Sequence, residues 1–103
     1  MHGKGCDMRG MLSFQILWLL SKRSMHGEEL AQEIGARRGE KPKPGSLYPA
    51  LKELHANGLV NGERCGKSVT YSITSSGRTA VRESTLYFIR SFGDIFEDSK
   101  AKK

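Results

Sequence analysis

The apolar residues of this chain fall into stretches with different periods, and each period predicts an element. From Met11 to Lys22 a helix is expected, with Met11, Leu12, Phe14, Ile16, Leu17, Trp18, Leu19 and Leu20 spread around all of its sides. A helix apolar nearly all round must be covered on more than one side. In so small a domain the core is expected to cover one side only, so the other predicts a second subunit. Ser24-Met25-His26-Gly27 reads as a break, with His26 as a turn or capping residue. Glu28 to Ala36 reads as a second helix, with Leu30, Ala31 and Ile34 on one buried face. Its two leading glutamates stand where the helix dipole favours negative charge.

The stretch over 42–60, PKPGSLYPALKELHANGLV, carries marks of a helix at both ends. Ser46 is the expected N-cap, Pro49 is expected in the first turn, and Gly58 closes the helix before Leu59 and Val60. At 100° per residue Leu47, Leu51 and Leu54 form one narrow stripe, with Ala50 beside it. Tyr48, Pro49, Lys52 and Ala56 fall on the far side, a face expected to carry no acidic residue. Upstream, Arg37, Arg38, Lys41 and Lys43 make a basic connection.

Beyond Val60 the period becomes two. Val69, Tyr71 and Ile73 alternate with Ser68, Thr70 and Ser72, the pattern of a half-buried strand. Leu59 to Arg64 can pair with it across a turn near Cys65, Gly66 and Lys67, giving a hairpin with Arg64 and Lys67 at its tip. Two strands alone are marginal, so the hairpin must lean on the helices. Thr74, Ser75 and Ser76 offer N-caps for a last helix reaching about Ser99. Val81, Thr85, Phe88, Ile89, Phe92, Ile95 and Phe96 band one side of it at the spacing of a helix seam. At about 22 residues such a helix is about 33 Å long, more than a small domain needs for closure, and its apolar end predicts a partner helix. These elements divide the chain into an arm (1–9), a domain (10–76), a long helix (77–99) and a charged tail (100–103).

The chain has 103 residues and a net charge of +6. That length suits one small domain, and the charge favours acidic partners, nucleic acid first and an anionic membrane surface second. The apolar run over 11–22 is too short to cross a bilayer, and nothing before it has the form of a signal peptide. A cytoplasmic protein with reduced thiols is expected, and no membrane partner. His2, Cys6, His26, His55 and Cys65 include no pair at CxxC or HxxxH spacing, so neither a metal nor another cofactor is expected. GxSxG, HExxH and a phosphate-cradling loop are missing from the sequence, which argues against an enzyme.

Helix, helix, basic loop, third helix, hairpin and long helix is the order of a winged helix-turn-helix domain followed by a C-terminal dimerisation helix. The fold class expected is therefore mainly α with a small β-hairpin wing. From Arg9 to Phe96 the chain resembles the PadR family of transcriptional regulators, through MHGEEL at 25–30, PGSLYPALKELHANGLV at 44–60 and YSITSSGR at 71–78. It departs from the family at Glu28, where an aromatic residue usually follows the His-Gly pair. Ending after one long helix, it is similar to the family's shorter subgroup.

The resemblance implies a homodimeric repressor of double-stranded DNA whose affinity a small-molecule effector can relieve. The first and last helices are expected to pair, with Leu12, Leu19, Phe88, Phe92, Ile95 and Phe96 at the interface. Trp18, Phe92 and Phe96 are expected near an effector pocket. In this reading Tyr48, Pro49 and Lys52 face the major groove, and Ser46 with its helix N-terminus holds a phosphate. Lys41, Lys43, Arg64 and Lys67 neutralise the backbone. Lys52 is the candidate donor to guanine, and Tyr48 meets either a thymine methyl or a phosphate. The rival reading is a winged helix that binds a protein partner through Leu59 and the Tyr48 face.

Overall fold

The structure, a computed structural model, describes residues 9–101. The arm's His2 and Cys6, and the last residues of the tail, lie outside the described residues. The elements follow in the order α1 (Arg9–Leu20), β1 (Met25–His26), α2 (Gly27–Arg38), α3 (Pro44–Ala56), β2 (Val60–Cys65), β3 (Ser68–Ile73) and α4 (Ser75–Ala101). The strands form one antiparallel sheet in the order β1-β3-β2. Helices α1 to α3 pack about a core of aliphatic side chains, in which Ile16, Leu30, Ile34 and Leu51 are fully shielded. No polar or charged side chain is buried among the described residues. The architecture is the winged helix with a long C-terminal helix that the element order predicted. No helix among the described residues is long and apolar enough to cross a membrane.

Local chemistry explains most boundaries. His26 caps α2: its Nδ1 accepts from the Glu29 N–H at 3.3 Å, while the Glu29 carboxylate accepts from the His26 N–H at 3.0 Å. The break expected at residues 24–27 is thus also a two-residue strand, with Met25 paired to Tyr71 and buried. Helix α3 ends in a Schellman motif, with Gly58 at φ 75°. There the Leu59 N–H reaches the Leu54 carbonyl at 2.9 Å and the Gly58 N–H the His55 carbonyl at 3.0 Å. In the hairpin Gly66 takes a positive φ and Lys67 does not, the sign pattern of a type II′ turn. Thr74 caps α4 by accepting from the Gly77 N–H at 3.0 Å.

Three expectations need correction. Helix α3 starts at Pro44 with Lys43 as its N-cap and no side-chain cap, so Ser46 is the third helical residue rather than the cap. The residue before a proline is driven to extended backbone, and Lys43 obeys with φ −73° and ψ 149°. Pro49 accordingly lies in the second turn, where its ring removes the bond that an N–H would make to the Gly45 carbonyl. The third correction concerns α1. Leu12 and Leu19, expected at a subunit interface, are 4% and 2% exposed within the protomer, so the domain's own core leaves them no surface to offer. The opposite side of α1 is covered in part by α4 of the same chain, with the Phe14 and Phe88 rings 5.8 Å apart.

Candidate nucleic-acid interface

The buried leucines Leu47, Leu51 and Leu54 seat α3 against the core and turn its other residues outward. Pro44, Gly45, Ser46, Pro49, Lys52, Glu53 and Ala56 are all exposed. With no side chain capping it, the positive end of α3 is open to an anion. Glu53 is exposed beside Ser46 and Pro49, so this surface carries an acidic residue where the face is expected to have none. Four positions after Pro49, it is Pro49's neighbour on the helix, and with Ser46 it borders a shallow groove against Ser13 of α1.

Tyr48 does not project freely. Its ring lies across Gly27 at the start of α2, where a Cβ would stand 2.7 Å from Cε1 and 2.8 Å from Cζ. The buried glycine is therefore a seat for the aromatic ring, and Tyr48 keeps 45% of its surface exposed. Beside it stands Tyr71 of β3. Burial pushes the Tyr71 phenol above its ordinary pKa, Tyr48 adds to that, and the Arg64 charge pulls the other way. Tyr48, Tyr71, Lys67 and Ser68 border one cleft of about 340 Å³ between α2, α3 and the hairpin. The fold thus brings the wing's Lys67 to the same cleft as the aromatic residue of α3.

The basic loop divides. Lys43 and Arg38 border a separate groove with Glu40 and Pro42. Lys41 also borders that groove, and its Nζ is paired with the Glu28 carboxylate at 2.8 Å. Arg64 and Lys67 are exposed at the hairpin tip, flanking the free thiol of Cys65. Among the described residues no three His, Cys, Asp or Glu side chains gather as metal ligands would.

Another concavity, about 540 Å³, lies between α1 and α4 and is bordered by Met11, Phe14, Trp18, Thr85 and Phe88. At its rim the Arg38 Nε donates to the Gln15 Oε1 at 2.8 Å. Trp18 carries two cations near its ring, the Lys22 Nζ at 4.9 Å and the Arg37 guanidinium at 5.6 Å. Phe92 and Phe96 do not border this concavity. They join it through Phe88, with ring separations of 5.1 Å and 5.8 Å. Along α4, Leu86, Ile89, Phe92, Ile95 and Phe96 are exposed.

Residues 16–83 match the transcriptional regulator PadR-like family. This chain belongs to that family. The transcriptional regulator Rv3488 of Mycobacterium tuberculosis is 35% identical over 79 residues, which cover 73% of each chain. Among solved structures, a putative transcriptional regulator, TA0346, of Thermoplasma acidophilum superposes with a TM-score of 0.73 at 28% identity. The match covers 93% of this chain and 94% of that one. A transcriptional regulator of Clostridium thermocellum shares the fold with a TM-score of 0.78 at 23% identity, over 87% of this chain and 94% of its own. The chain is a PadR-like transcriptional regulator of the winged-helix type.

Proposed function

We propose that this PadR-like regulator is a homodimeric repressor that reads a pseudo-palindromic site on double-stranded DNA. The observation that carries this reading is the cleft shared by Tyr48 of α3 and Lys67 of the wing, beside a helix whose N-terminal end has no side-chain cap. An α-helix fits the major groove, and a basic ribbon at its flank suits the adjoining phosphates. In this arrangement Pro49 and Lys52 face the base edges, while Ser46 and the first turn of α3 approach a phosphate. Tyr48, held on Gly27 with Lys67 nearby, belongs with the backbone contacts. Lys43, Arg64 and Lys67 supply cations, so affinity falls steeply with salt.

Two copies pair through α4, whose exposed apolar stripe otherwise faces water, and present their α3 helices about 34 Å apart, one turn of DNA. From α1 the contribution is Met11, Phe14 and Trp18 rather than Leu12 or Leu19. The concavity between α1 and α4 has the volume of a small-molecule site and is the place for an effector. Trp18 and Phe88 border it in the protomer, and Phe92 and Phe96 extend the same aromatic surface toward the second copy.

The test is fluorescence anisotropy against the DNA upstream of the chain's own gene, with scrambled competitor, together with footprinting. Binding that survives the competitor and protects two half-sites one turn apart is the expected result. Lys52→Ala should lower discrimination between operator and random DNA, whereas Lys67→Ala should weaken both by a similar factor. Equal losses on both DNAs in both variants would remove Lys52 from base readout. Binding no stronger to the upstream DNA than to scrambled DNA would favour the protein-partner reading instead.

A further inference from the structure

Lys41 belongs to the loop expected to lie along DNA, yet two contacts direct it elsewhere. Its Cγ lies over Gly35 of α2, where a Cβ would come within 2.7 Å. Its Nζ then ends 2.8 Å from the Glu28 Oε2, one residue into the same helix. The lysine stem is therefore laid back along α2 toward its first turn. Glu28 is steadied from its own helix by Gln32, whose Nε2 donates to the same oxygen at 3.4 Å. The Lys41 hydrogen bond and charge hold the Glu28 carboxyl below its ordinary value of 4.5, so it is ionised near neutral pH. The same carboxylate borders the cleft that holds Tyr48, Lys67 and Ser68. An anion thus shares this cleft with the cationic Lys67.

We propose that Glu28 is an internal rival of the DNA backbone, holding the Lys41 ammonium in the free protein and lowering the affinity of this face for DNA of any sequence. The inference rests on the DNA-binding reading above and adds to it a residue that sets the strength of binding. A phosphate approaching this edge must displace the carboxylate from Lys41, or else meet a neutralised lysine beside a repelling anion. The pair itself matters little to the fold, because both side chains are more than half exposed, at 55% and 57%. On DNA the effect is larger. Each added lysine–phosphate contact releases a counterion and steepens the slope of log K on log salt by about 0.9, which at about 0.1 M salt, a decade below 1 M, is roughly eightfold in affinity.

The experiment compares the wild-type chain, Glu28→Gln, Lys41→Ala and the double variant by anisotropy on a mixed-sequence duplex of about 30 base pairs across a salt series, since the backbone term is sequence-independent. Glu28→Gln is expected to bind roughly eightfold tighter at about 0.1 M salt, with a slope steeper by about one unit. Lys41→Ala leaves the Glu28 carboxylate unpaired on this face, so it is expected to weaken binding, and the double variant is expected to return to within about twofold of wild type. Circular dichroism should show the same helicity in all four, given the exposure of both side chains. Unchanged or weaker binding by Glu28→Gln, with wild-type binding intact, would overturn the proposal. Glu28 would then be a support that presents Lys41 to the phosphate. If the wild-type chain shows no salt-dependent binding to any duplex, the DNA reading falls and the proposal falls with it.

Discussion

Gly77 sets intrinsic helix propensity against packing. It is the third residue of α4, and by propensity alone Gly77→Ala should stabilise the helix by about 1 kcal/mol. The surroundings predict the opposite sign. A Cβ there would stand inside van der Waals contact of the Leu59 carbonyl oxygen, with the Leu59 carbonyl carbon at 3.1 Å and the Ile73 Cγ1 at 2.6 Å. The isoleucine can turn aside. The Leu59 carbonyl cannot, because it accepts from the Thr74 N–H at 3.1 Å and belongs to the residue whose own N–H closes α3. Overpacking costs about 1–3 kcal/mol, and a carbonyl that cannot yield places this case in the upper part of that range, so the propensity gain of about 1 kcal/mol offsets only part of it. The expected net loss of about 1–2 kcal/mol lowers the melting temperature by roughly 5–15 °C for a chain of this size. Gly93 is the internal comparison: in the same helix, its nearest neighbour to a new Cβ is the Ile89 Cγ2 at 4.0 Å. Gly93→Ala should therefore melt at or slightly above the wild-type temperature. Thermal denaturation at one protein concentration measures both. A Gly77→Ala chain melting no lower than wild type would refute the packing argument.

Two further outcomes are open to measurement, beside the Lys52 and Lys67 comparison given above. The backbone hydrogen bond from His26, with help from Arg23, holds the Glu29 carboxyl below its ordinary value of 4.5. Its contribution to stability is therefore present above the unfolded-state value and lost as pH falls through the lower folded value. Glu29→Gln should flatten the acid side of the urea-midpoint profile between about pH 5 and 3, and an unaltered profile would discount the capping box as a source of acid sensitivity. Phe92→Asp places a charge on the exposed α4 stripe, where Ile89, Ile95 and Phe96 are 58%, 61% and 50% exposed. Light scattering should then report a monomer, and the melting temperature should lose its dependence on concentration. A wild-type chain that is already monomeric would dismiss the pairing of α4 helices.

The elements most legible in the sequence are those decided within a few residues of themselves. The stripe of Leu47, Leu51 and Leu54, the closure at Gly58, the turn at Gly66 and the Thr74 cap all depend on neighbours in the chain. The start of α3 was misread because two local signals compete there, and the restriction that Pro44 places on Lys43 outweighs the capping tendency of Ser46. Strand β1 has only Met25 and His26, too few for any period, and it exists because β3 has a second edge to pair. For α1, periodicity says that all sides are apolar but not what covers each. Hence Leu12 and Leu19 were assigned to a partner when α2, α3 and α4 of the same chain surround their helix. Charges are hardest to read in this way. Counting Lys41 among the basic residues says nothing of Glu28, which is remote in sequence and meets it only through the fold.

Thr74 makes three bonds that together determine how motion can pass through the molecule. Its hydroxyl donates to the Gly58 carbonyl at 2.7 Å and accepts from the Gly77 N–H, while its own N–H reaches the Leu59 carbonyl. The turn that closes α3 and the first turn of α4 are thereby tied through one residue. A 27-residue helix is a lever about 40 Å long. If α4 helices pair at their far ends, a tilt of about 5° there swings the near end by about 3.5 Å, enough to take a recognition helix out of register with a groove. In the proposed dimer an effector would have no need to deform α3: the winged head would turn as one piece, and the distance between the two heads would be the regulated quantity.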